Sequence, residues 1–76
     1  MKEQEIREVL RAENPEFQQL EAEHRALESR LSELEGKPFL TSEEEIEIKQ
    51  IKKQKLAKKD KMAMMIREYK KMVLQN

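Results

Sequence analysis

Along the first half of the chain the apolar positions fall at Phe17, Leu20, Leu27, Leu31 and Leu34, with His24 in the same series. The steps alternate between three and four residues, which is the a/d pattern of a helix that packs along one stripe. This predicts a helix over 15–35. Continued backwards, the register meets Leu10 and Ile6, so a short helix over 2–12 lies in phase with it. The second half, Ser42 to Leu74, contains no Pro or Gly and predicts one long helix over 43–74. Its stripe runs Ile48, Ile51, Lys55, Lys58, Met62, Met65, Tyr69 and Met72, beside a second stripe of Leu56, Ala63, Ile66 and Val73.

Pro and Gly mark the joints. Pro15 disfavours helix at Asn14 and suits the first position of a new helix, which Asn14 can cap. Either a break or a kink with one continuous apolar face satisfies this pattern. Gly36 and Pro38 stop the second helix, and residues 36–42 form the connection. Phe39 and Leu40 are expected to cap the end of the core. Thr41 with Glu44, or Ser42 with Glu45, supplies a capping box for the third helix. So short a connection makes its neighbours antiparallel. The expected fold is therefore all-α: a coiled-coil-like antiparallel helical hairpin in a single small domain over 1–76. Folding about residue 38 sets Leu31 near Ile48, Leu27 near Ile51, Phe17 near Met62, Leu10 near Tyr69 and Ile6 near Val73. The polar residues His24 and Lys55 then meet at mid-length, a shared defect that two unrelated helices would have no reason to carry.

Charge strengthens this picture. Charged residues make up 42% of the chain and its net charge is zero. Residues 1–36 carry ten Glu against five Lys or Arg, 5 − 10 = −5. Residues 37–76 carry eleven Lys or Arg against six acids, 11 − 6 = +5. Opposed charge on facing helices helps to fix their alignment. There is no Cys, which excludes disulfides and thiolate metal sites, and no long uncharged run. A cytoplasmic protein without a membrane span is expected.

Candidate chemistry is sparse. One His, no Cys and no glycine-rich phosphate loop leave no catalytic constellation, cofactor site or metal site to expect, nor a small-molecule substrate. His24 reads as a polar interface residue that sets register. The clearest electrostatic feature is the basic surface of Lys49, Lys52, Lys53, Lys55, Lys58, Lys59 and Lys61, with Asp60 as its one acid. It suits a solvated face that pairs with Glu21, Glu23 and Glu28 on the facing helix, phosphate contact with RNA or DNA, or contact with another acidic partner. No aromatic residues interleave it for base stacking. The second feature is apolar: Met62, Met65, Ile66, Tyr69, Met72 and Val73 span two stripes, wider than one partner helix covers. They form a candidate face for self-association as a homodimer.

The segments Glu13-Asn14-Pro15-Glu16-Phe17 and Lys52-Lys53-Gln54-Lys55-Leu56, the latter followed by Lys59-Asp60, resemble the YdcH-like family of small bacterial proteins. The resemblance covers roughly residues 5–70 and leaves the 36–40 connection outside its motifs. It implies a helical hairpin in a bacterial cytosolic protein of unknown function, with no known enzymatic activity and no established site residues. The expected function is a non-enzymatic interaction or assembly module, with nucleic-acid association through the 49–61 face as the alternative.

Overall fold

The computed structural model describes residues 1–74 and holds three α-helices: α1 (Glu3–Glu13), α2 (Pro15–Glu35) and α3 (Ser42–Leu74). Each boundary has a local cause. Asn14 is extended, with φ −112° and ψ 108°, because the following proline disfavours the helical conformation there. Its backbone N–H closes α1 on the Leu10 carbonyl at 2.8 Å, and its side chain accepts the Phe17 N–H at 3.1 Å. One residue therefore ends one helix and caps the next, and the joint is a break. At α3 the reciprocal box forms between Thr41 and Glu44: Glu44 N–H donates to Thr41 Oγ1 and Thr41 N–H to a Glu44 carboxylate oxygen, both at 3.0 Å. Three consecutive Glu in the first turn face the positive end of its dipole.

α2 and α3 lie antiparallel as a hairpin, with the apolar positions at its two ends. Leu31, Leu34 and Ile51 form one buried cluster near the connection, flanked by Leu27, Leu40 and Ile48. Ile6, Leu10, Phe17, Leu20, Met62 and Ile66 form the other. Between them lie half-buried His24, Lys55 and Lys58. The spacing of the heptads agrees with both clusters and the polar interval: Phe17 and Met62 share one cluster, and Leu27 packs against the cluster that holds Ile51.

Two details depart from the sequence-based expectation. First, α1 does not prolong the line of α2. Leu10 borders the cleft of Met65, Tyr69 and Met72, whereas Glu3 and Ile6 border Ala63, Ile66 and Lys70. α1 therefore crosses α3 from one flank to the other, and Ile6 packs with Ile66 instead of meeting Val73. A bidentate pair holds it, with Arg11 Nε and Nη2 donating to Glu21 at 2.8 and 2.9 Å. Gln18 Nε2 also donates to the Arg11 carbonyl at 2.7 Å. Second, Phe39 is 87% exposed and does not cap the core; half-buried Leu40 alone does so. Gly36 sits at φ −79°, ψ −9°, right-handed helical space, so the stop does not use the left-handed freedom of glycine. No helix of the described residues is long and apolar enough to cross a membrane.

Candidate functional site

The seven lysines between 49 and 61 divide into two groups once the hairpin closes. Lys55, Lys58 and Lys61 turn towards α2 and pair with Glu28 at 3.4 Å, Glu23 at 3.1 Å and Glu16 at 3.1 Å. Lys49, Lys52, Lys53 and Lys59 are exposed and have no carboxylate within ion-pair distance among the described residues. The first group is spent on the fold and the second is left to solvent. Glu21, expected opposite the lysines, is engaged by Arg11 from α1. Those hydrogen bonds hold its carboxyl below the ordinary value against the opposing effect of burial, and the fields of Arg25 and Arg7 add to them.

One further ion pair fixes the register. Arg30 of α2 reaches Glu47 of α3 with two bonds of 2.7 and 3.0 Å, reversing the overall polarity of the two arms. A slip of α3 by one heptad would exchange Glu47 for Gln54 and remove the partner. The pair lowers the Glu47 carboxyl and raises the Arg30 guanidinium. Exposed pairs contribute little stability, roughly 0–1 kcal/mol, so their effect is on alignment.

The apolar candidate face is smaller than its sequence pattern. Met62 of the first stripe and Ile66 of the second are both buried within the chain, in one cluster with Ile6 and Leu10 of α1 and Phe17 and Leu20 of α2. Met65 and Tyr69 are half-buried against the same cluster, and Val73 is also half-buried. Met72 is open, at 54% exposure. Away from that cluster Ile46 and Met64 of α3 are exposed, and Leu56 is 58% exposed on the flank of α3 that borders α2.

A feature with no local sequence signal lies where the three helices meet. A surface groove of about 420 Å³ opens between α2 and α3 at the polar interval, with Leu56 and Met62 along it. α1 brings Arg7 to it, α2 brings His24 and Arg25, and α3 brings Lys52, Lys55 and Lys59. Glu21 and Glu28 are its acids. Arg7 and Arg25 are two of the five cations of the acidic half, and nothing in their spacing sets them apart from the other three. Among the described residues no group of His, Cys, Asp or Glu is placed to hold a metal ion.

A family model described as "Protein of unknown function (DUF465)" matches residues 17–66, from the start of the Phe17 core to Ile66. No curated protein and no solved structure matches the chain. The matched span takes in most of α2, the connection and α3 as far as Ile66, with the whole cluster of Leu31, Leu34 and Ile51; of the other cluster it holds Phe17, Leu20, Met62 and Ile66, while Ile6 and Leu10 of α1 lie outside it.

Proposed function

The chain belongs to the DUF465 family, the YdcH-like proteins, and on that premise we propose that it is a non-enzymatic interaction module whose hairpin presents the outer face of α3 to a protein partner, a second copy included. The supporting observation is what the fold leaves unused. Of the 33 residues of α3, the chain buries Ile51, Met62 and Ile66. Its surface carries exposed Ile46, Leu56 and Met64 beside Lys49, Lys52, Lys53 and Lys59, which make no ion pair among the described residues. A thin core gains from association, and a helix that exposes apolar side chains among charged ones suits a helix-on-helix contact. The test is capture of partners from native lysate by the full chain and by Leu56→Asp, with and without nuclease. Protein retained after nuclease and lost with Leu56→Asp supports the reading. Retention unaffected by the substitution contradicts it. Self-association is read by sedimentation: a concentration-dependent dimer that Met72→Glu dissociates places it on the open end of the former stripe.

A second reading is favoured by Lys49, Lys52, Lys53 and Lys59 standing without carboxylate partners among the described residues: contact with RNA or DNA phosphates. Binding of mixed RNA or duplex DNA should then weaken steeply as salt rises and fall with Lys52→Glu plus Lys53→Glu. No binding at low salt removes it.

A further inference from the structure

We infer that the groove at the junction of the three helices is a receptor for a compact oligophosphate anion, held by Arg7, Arg25, Lys52 and Lys59. This does not rest on the outer face of α3 being an interaction surface. Five Lys or Arg border the groove against two Glu, 5 − 2 = +3. Both Glu are already neutralised, Glu21 by Arg11 and Glu28 by Lys55. Arg25, Lys52 and Lys59 make no ion pair among the described residues, and the pairing of Arg7 with Glu3 is a loose 3.5 Å. Like charges brought together by three separate helices oppose folding, and an anion between them would relieve the repulsion.

The shape narrows the class. Lys52 and Lys59 are seven residues apart, about 10 Å along α3. One phosphate cannot bridge both roots, whereas a linear chain of two or three phosphates lies within reach of both flexible arms. Arg25 faces from α2, where its planar fork can take two phosphate oxygens. Among the described residues no Phe, Tyr or Trp borders the groove and its one aromatic ring is the half-buried His24, so recognition rests on the phosphates.

The probe is inorganic tripolyphosphate, added to the full chain and compared with sodium chloride at matched ionic strength. Amide shifts in 1H–15N spectra should cluster at Arg7, His24, Arg25, Lys52 and Lys59, and the melting temperature should rise with tripolyphosphate alone. Arg25→Gln with Lys59→Gln should weaken binding at least about tenfold through loss of two charge-assisted contacts. Lys49→Gln with Lys53→Gln, on the outer face, should leave it unchanged. All four positions are exposed, and far-ultraviolet circular dichroism verifies that each variant is folded. No response at millimolar tripolyphosphate in low salt overturns the inference. An equal loss from the Lys49 and Lys53 pair also overturns it, by placing the contact outside the groove.

Discussion

At the scale of single residues, the two phenylalanines separate what hydropathy alone treats as equal. Phe17 is fully buried between α1, α2 and α3, whereas Phe39 is 87% exposed in the connection. Phe17→Ala should cost about 3–5 kcal/mol in urea unfolding, and Phe39→Ala should fall within about 0.5 kcal/mol of the parent. The heptad step identifies Phe17 as core. Nothing periodic constrains Phe39, which is why the pattern overstates it. Gly36 offers a similar contrast. A Cβ there would stand 3.4 Å from the Ser32 carbonyl oxygen and 3.6 Å from that of Glu33, ordinary contacts at a right-handed φ. Gly36→Ala should therefore be tolerated and raise stability by about 0.4–1 kcal/mol, through a less flexible unfolded chain. Glu44 supplies the pH dependence. The ammonium of Lys37 and the Thr41 N–H lower its carboxyl from the ordinary 4.5 to about 2. A carboxyl depressed in the folded state adds stability above its ordinary value, and this is lost as pH falls from 4.5 towards 2. A 13C titration of Glu44 should show the low midpoint, and Lys37→Ala should move it up.

At the scale of the helices, the hairpin arms were legible and the direction of α1 was not. A stripe in phase across Pro15 says which face of α1 is apolar, but a heptad cannot encode the angle taken at an extended Asn14. The determinants of that angle, Arg11 to Glu21 and Gln18 to the Arg11 carbonyl, are contacts across ten and seven residues between ordinary surface side chains. The consequence is that α1 covers Met62 and Ile66 and reduces the apolar face expected of α3. Ile6→Ala, at a fully buried position, should cost about 2–5 kcal/mol. Amide exchange should then quicken in α1 and at Met62 and Ile66 more than near the connection, where Leu34 and Ile51 form a separate cluster. Uniform quickening along α3 would mean that the two clusters unfold as one.

At the scale of the whole molecule, two apolar clusters and a polar interval share one antiparallel register inside a body 54 Å long. That register sorts the lysines into those spent on Glu16, Glu23 and Glu28 and those left outside, so every functional proposal depends on it. The shared defect of His24 and Lys55 made the register readable from sequence, because apolar matches alone would survive several alignments. The groove was not readable, because its cations come from three helices whose meeting depends on the turn at Asn14. The most direct test of the register is isotope-filtered nuclear Overhauser spectroscopy on an equal mixture of labelled and unlabelled chains. Effects between the Phe17 ring and the Met62 methyl, and between Leu34 and Ile51, are expected within one chain and at undiminished intensity. The same effects appearing only between labelled and unlabelled chains would show that α2 and α3 pair across two molecules, contradicting the closed hairpin.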